Sequence, residues 1–207
     1  FEKELDQRDI RILTAIDART GKILYEHGID ITNCGGKFLP QPNYGTGRYA
    51  KHYNPNVGFC MIAQKDVVIF CTQSGADKGW GVWPRGGYKQ RGIATHDGAT
   101  GKLLWNRLAD YRTRPVVVDE TIYAEPWGYN LRTGLRKRRV HPITGENADW
   151  AWCRSDKQCG IFSASTNFLF GRSLGVGYQD LLNDNGLYTF FHSRMSCSFD
   201  AVSGGGM

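Results

Sequence analysis

This sequence has no long hydrophobic run. No stretch approaches the about 18 apolar residues that a membrane-spanning helix needs. No leader of basic, apolar and small residues opens the chain. It begins at Phe1 without an initiator Met and closes on Gly204-Gly205-Gly206-Met207, so we expect a processed or partial chain cut from something longer. It has no Cys-x-x-Cys and no Cys-x-x-Cys-His, which argues against a zinc ribbon and covalent haem attachment. Ser163 and Ser165 lack the Gly-x-Ser-x-Gly elbow of a hydrolase nucleophile. His27, His52, His96, His141 and His192 are scattered without metal-ligand spacing. The cluster Asn183-Asp184-Asn185-Gly186 does not follow the EF-hand order and reads as a turn. No segment shows helical amphipathicity. Recognition helices, finger spacings and aromatic–basic RNA motifs are all missing. The net charge is +6 and the isoelectric point near 9.0. That permits docking to acidic partners but does not point to nucleic acid.

What is present favours β-structure. Twenty-six glycines and 13% aromatic residues suit an all-β chain with many turns and large side chains between sheets. Hydrophobic residues make up 41% and charged residues 22%, so a packed core is expected and general disorder is not. The cysteines Cys34, Cys60, Cys71, Cys153, Cys159 and Cys197 are even in number, which fits an oxidising compartment.

The chain is organised around Gly92–Trp105, which reads strand, tight turn, strand. A near copy is Ala15–Tyr25. In Asp17–Gly21 and Asp97–Gly101 the Asp and Gly stand four apart, and Lys, two aliphatic residues and an aromatic follow. Asp bonds back to nearby N–H groups, and Gly accepts a positive φ. Tyr129–Gly134 is a degenerate copy; Pro142–Glu146, with Trp150 following, looks better phased. Further hairpins are expected at Phe59–Ala63 with Val67–Cys71, at Pro115–Val118 with Thr121–Ala124, and at Gly160–Ser165 with Phe168–Arg172. Asn185-Gly186 is a hairpin signal leading into Leu187–Phe191.

With Gly21, Gly101, Gly145 and Gly186 as phase markers, the successive gaps are 80, 44 and 41. We read the 80 as two units of 40, the Cys60–Cys71 hairpin filling part of the empty slot. A period of about 40 with about four strands per unit points to propeller blades. The expected fold is all-β, a β-propeller of four-stranded antiparallel blades. One segment, residues 1–207, would hold about four to five blades of a ring of roughly seven or eight. The inter-blade structural residues are then Asp17, Gly21, Tyr25, Asp97, Gly101, Trp105, Gly145, Trp150 and Gly186, the aromatics acting as wedges.

Two glycine-rich excursions, 26–56 and 73–91, interrupt the strands. Trp80, Trp83 and Tyr88 in the second are a candidate binding loop for a sugar or a flat ligand, or else a hydrophobic plug folded inward. Cys60 and Cys71 face each other on a hydrogen-bonded pair, with α-carbons about 5.5 Å apart. They are either a disulfide or two small buried residues, the second being the simpler reading. Cys159 and Cys197 are the preferred disulfide, with Cys153 the next candidate for either. Arg172 and Arg194 read as buried partners of Asp180. The run Arg136-Lys137-Arg138-Arg139 reads as a solvated outer strand, or as an acidic docking site.

On the copies at Ala15–Tyr25 and Thr95–Trp105 the chain resembles the quinoprotein-like (PQQ-like repeat) β-propeller family of bacteria. Its blade signature is Ala-x-Asp-x-x-Thr-Gly-Lys-x-x-Trp. Ala15, Asp17, Thr20, Gly21 and Lys22 match, with Tyr25 in the Trp slot. Asp97, Thr100, Gly101, Lys102 and Trp105 match, with Thr95 in the Ala slot. Cys159–Ser165, Phe170–Ser173, Gly177–Leu181 and Arg194–Cys197 look like a subgroup of large extracytoplasmic bacterial proteins, whose chain runs past the position of Met207. The resemblance covers residues 10–207 and implies a periplasmic or extracellular location. The family includes dehydrogenases that bind pyrroloquinoline quinone (PQQ) and calcium, the quinone stacked on a Trp beside a disulfide of adjacent cysteines. It also includes cofactor-free scaffolds of outer-membrane protein assembly. This chain has no adjacent cysteine pair, and no Glu/Asn/Asp calcium set aligns. The resemblance therefore implies a non-catalytic scaffold that binds a protein partner, within a larger assembly, or a glycan. No cofactor is expected. The competing readings are a propeller subunit of an extracytoplasmic redox complex and, further off, a PQQ-dependent dehydrogenase with calcium.

Overall fold

The computed structural model describes residues 8, 10–32, 34, 59–72, 91–109, 111–154 and 161–191. Among the described residues there is no helix. β1 (Ile10–Ile16) and β2 (Ile23–Asp30) form a hairpin. β3 (Phe59–Gln64), β4 (Val67–Thr72), β5 (Gly92–Asp97) and β6 (Leu103–Leu108) make a four-stranded sheet in chain order. β7 (Val116–Val118), β8 (Thr121–Ala124) and β9 (Trp127–Asn130) make a third sheet, and β10 (Arg138–Val140) with β11 (Asn147–Asp149) a second hairpin. β12 (Ser163–Ala164), β13 (Phe168–Ser173), β14 (Gly175–Asp180) and β15 (Leu187–Phe190) close the described chain as a four-stranded sheet, again in order. Every pairing is antiparallel. The order follows from the connections, because a short turn can only return the chain beside the strand it has just left.

The third sheet gains a fourth edge from residues 135–137. Asn130 N–H donates to Leu135 O, and Lys137 N–H to Gly128 O, each at 2.8 Å. The three larger sheets are thus built alike. This corrects two details of the sequence reading. The 80-residue gap from Gly21 to Gly101 is one unit rather than two. β3 and β4, the Cys60–Cys71 hairpin, are the first two strands of the same sheet as Gly92–Trp105, and chain inserted before β3 and between β4 and β5 lengthens the spacing. Second, the turn equivalent to Asp97–Gly101 in the third sheet is Asn130–Gly134, eleven residues before Gly145. Gly145 closes the extra hairpin β10–β11.

The sheets stack face to face, and strand alternation divides the core between them. In β4, Ile69 faces the third sheet and Phe70 faces β1–β2; in β5, Ile93 and Ala94 divide the same way. In β8, Ile122 joins the cluster shared with β3–β6, and Tyr123 joins Trp150, Trp152, Phe162 and Leu169 against β12–β15. Near-continuous burial along β5 follows, since both of its faces are covered. The outer hairpin β1–β2 instead exposes Ile12 and Leu24, 73% and 63% accessible.

Candidate functional site

One end of the stacked sheets is made of turns with a repeated bond pattern. Asp17 Oδ1 accepts from the N–H groups of Arg19 and Thr20 and from the Thr20 hydroxyl. Asp97 Oδ1 accepts from Thr100 N–H at 2.8 Å and its hydroxyl at 2.7 Å. Asn130 Oδ1 does the same for Arg132 and Thr133. In the β10–β11 hairpin His141 Nδ1 takes this part, accepting from Ile143 and Thr144 N–H. Asp180 Oδ1 takes it in the last sheet, accepting from Leu182 and Asn183 N–H. These bonds hold the Asp carboxyls below the usual range: chiefly Thr20 N–H for Asp17, the Thr100 hydroxyl for Asp97 and the Asn183 amide for Asp180. The turns of the three larger sheets also grip the neighbouring hairpin of their own sheet. Gly98 N–H donates to Asp66 O, Leu131 N–H to Glu120 O and Leu181 N–H to Asn167 O, at 2.6, 2.8 and 2.8 Å.

The aromatics of one sheet reach the turn of the next. Tyr25 Oη donates to Gly98 O at 2.8 Å, Trp105 Nε1 to Leu131 O at 3.0 Å, and Trp150 Nε1 to Asp184 Oδ1 at 2.9 Å. The rings of Tyr25 and Trp105 lie close against the left-handed glycine of that turn. Gly101 has φ +71° and Gly134 φ +65°, and a Cβ on either would fall 2.6 Å from Tyr25 Cε2 or Trp105 Cδ2. In the last sheet the corresponding residue, four after Asp180, is Asp184 at φ 47°; Gly186, taken from the sequence as the marker, lies two residues further on at φ 106°. Asp184 uses its side chain instead of yielding space. It accepts from Trp150 and from Gln179 Nε2 and faces Arg139 Nη1 at 3.5 Å.

The opposite end collects cations. Arg91, Arg112, Arg154 and Arg172 are all buried there. Arg91 Nη1 donates to Tyr111 O at 3.3 Å and to Arg112 O. Arg112 N–H donates to Glu125 O at 2.8 Å. Glu125 is the one buried carboxylate among the described residues. Its Oε1 accepts from Arg154 N–H at 2.8 Å, and its Oε2 from Arg154 Nε at 3.1 Å and Nη2 at 2.7 Å. The guanidinium lies beside the packed rings of Trp152 and Phe162, 5.7 and 5.6 Å from their centroids. Gly171 makes the room, since a Cβ there would sit 2.9 Å from Arg154 Cδ.

Three thiols share this end. Cys34, Cys60 and Cys71 form no disulfide with one another, and the Cys60–Cys71 register holds two free thiols. Burial pushes the Cys34 thiol up to about 12. The hydrogen bond from Cys71 brings the Cys60 thiol down to about 6, helped by the Arg114 charge. The same bond, with burial, holds Cys71 well above the ordinary range. No group of three His, Cys, Asp or Glu side chains that could hold a metal ion occurs among the described residues.

Tyr25, Trp105 and Trp150 therefore come into equivalent settings. Arg172 does not meet Asp180: on the β13–β14 ladder Arg172 is opposite Val176, and Asp180 is opposite Phe168 four positions away. His96, 4% exposed, bonds Gly101 O through Nδ1 at 3.0 Å. Arg136, Arg138 and Arg139 of the basic run are bonded to Asp149 and Asp184. Trp80, Trp83, Tyr88, Cys159, Cys197, His52, His192 and Arg194 lie outside the described residues. The Glu125–Arg154 pair was missed, although alternation of Trp150, Trp152 and Arg154 on one side of an extended segment was a usable signal.

The chain matches no protein-family model and no curated protein. Among solved structures it is similar to the crystal structure of BamB from Moraxella catarrhalis, at 15% identity and a TM-score of 0.45, over 84% of this chain and 41% of that one. The chain thus spans less than half the length of that structure.

Proposed function

We propose that this chain is a stretch of a PQQ-like β-propeller that serves as a non-catalytic, protein-binding scaffold outside the cytoplasm. The observation that carries the propeller reading is the equivalence of successive turns, each bonded to its own hairpin and capped by an aromatic from the sheet before. In this reading β1–β2 is the outer half of one blade and the three larger sheets are the next three. All belong to one domain. The location rests on the sequence resemblance.

The non-catalytic reading is supported by how buried charge is used. The Glu125 carboxylate accepts three bonds from Arg154, and a carboxylate so occupied is poorly placed to take a proton from a substrate. The arginine-bearing end is the partner-binding end. The stretch before β3, and the one between β4 and β5 that holds Trp80, Trp83 and Tyr88, join the described chain there. A glycan stacked on those aromatics is the alternative ligand.

Incubation with PQQ and calcium, followed by gel filtration, tests the reading. The expected result is no quinone absorbance in the protein peak and no dye reduction with alcohols or glucose. Retained quinone with dye reduction would establish the dehydrogenase instead. A photo-crosslinker at Arg114 is expected to capture one discrete protein in cells; crosslinks formed only from the opposite end, at Lys22 or Lys102, would refute the assignment of the binding end.

A further inference from the structure

We infer that Cys60 and Cys71 are a reversible thiol–disulfide switch, with Cys60 the attacking thiol, Cys71 the resolving thiol and a small-molecule disulfide of the glutathione type the oxidant. Three observations carry it. The two residues are direct partners on the β3–β4 ladder, and their α-carbons, about 5.5 Å apart on a hydrogen-bonded pair, fall inside the range that a disulfide spans. Their access differs in the way the roles require. β3 is the edge strand of its sheet and Cys60 is half-buried, whereas Cys71 is fully buried behind it. A reagent can therefore reach the first sulfur and not the second. Third, Arg114 places a positive charge near Cys60. That charge stabilises a thiolate at Cys60.

Reversibility follows from the same difference in access. Cys60 is half-buried on an edge strand. A reducing thiolate can therefore reach its sulfur in the oxidised state as well, and exposed disulfides are reduced more readily than buried ones.

The chemistry balances. The Cys60 thiolate attacks one sulfur of the small disulfide and expels one thiolate, leaving a mixed disulfide. Cys71 gives up its proton to solvent, and its sulfur attacks Cys60 Sγ and expels the second small thiolate. Two protein thiols are oxidised by two electrons, one small disulfide is reduced to two thiols, and two protons pass from protein to the released thiolates.

Peptide mapping reads the outcome. Trypsin cleaves after Lys65 and so places the two cysteines in separate peptides, 52–65 and 66–78. The native chain is equilibrated in mixtures of oxidised and reduced glutathione, quenched with maleimide and digested. The expected result is that these peptides are linked in oxidised mixtures and part again when reduced glutathione is raised, without denaturant. Cys71→Ser is expected to stop at a glutathione adduct on Cys60, and Cys60→Ser to leave Cys71 unmodified. Alkylation of Cys60 in the folded chain should be half-maximal near pH 6, against about 8.5 for an ordinary thiol. The inference fails if Cys60 stays alkylatable in fully oxidised glutathione while the β-sheet circular dichroism is retained. It also fails if Cys60 links to a different cysteine, or if the bond yields only after denaturation. None of these outcomes depends on whether the scaffold reading holds.

Discussion

Replacing Gly134 by Ala measures the contact between adjacent sheets directly. Gly134 has φ +65°, and an added Cβ would lie 2.6 Å from Trp105 Cδ2 and 2.9 Å from its Cε3. Two costs follow. An L-residue in the left-handed region loses about 1–2 kcal/mol relative to Gly. Overpacking against a ring that cannot withdraw adds about 1–3 kcal/mol. The ring is fixed from both sides, since Trp105 is 8% exposed and its indole N–H is bonded to Leu131 O. The sum is about 2–5 kcal/mol, a large part of the about 5–15 kcal/mol that holds a typical domain folded. Gly145→Ala is the internal control. It has the same conformation, φ +72°, and nothing within 4 Å of the added carbon, so it should cost about 1–2 kcal/mol. Urea unfolding of both variants, with unchanged slopes, gives the difference. A Trp105→Leu background should remove the excess, because the two changes share one contact. Equal losses for Gly134→Ala and Gly145→Ala would refute the wedge argument.

Other expectations rest on single groups. Glu125→Gln leaves the Arg154 guanidinium buried without its counter-charge and should cost about 3–5 kcal/mol in urea unfolding, while the joint change Glu125→Gln with Arg154→Met should recover most of it; a loss below about 1 kcal/mol for the single variant would contradict the pairing. Asp184→Gly relieves a left-handed residue, worth about 1 kcal/mol, yet removes the acceptor of Trp150 and Gln179, each bond worth about 1 kcal/mol or more, so thermal unfolding should occur at lower temperature; a rise would show the bonds to be weak. Asp17, Asp97 and Asp180 are held below the ordinary carboxylate value when folded. Their contribution is therefore full at neutral pH and declines as pH falls through those lowered values, below about 3.9. The urea midpoint should drop between pH 5 and about 3, and the triple Asp→Asn variant should drop less; parallel curves would remove the turns from the acid response.

The strands and turns could be read along the chain because they are local. Asp97 and Thr100 are three residues apart, and the alternation of Phe59–Ala63 with Val67–Cys71 is visible without any partner. The phase was harder. Gly145 follows the same local pattern as Gly134, so periodicity alone chose the turn of an inserted hairpin. Gly186 was preferred to Asp184 because an Asn-Gly pair is the stronger local signal, while the left-handed conformation of Asp184 is maintained by bonds to Trp150, 34 residues away. Arg172 and Asp180 were paired on charge, and the ladder register separates them.

Residue order along the chain settled the all-β character, the hairpins and the repeated Asp-to-Gly turns, since each depends on backbone preferences and bonds within a few residues. Three-dimensional packing settled which turn closes which sheet, which ring covers which glycine, that Glu125 belongs to Arg154 across 29 residues, and that Cys60 is reachable while Cys71 is not. Burial and long-range pairing depend on which surfaces meet when sheets stack, and neighbours in sequence carry little record of that.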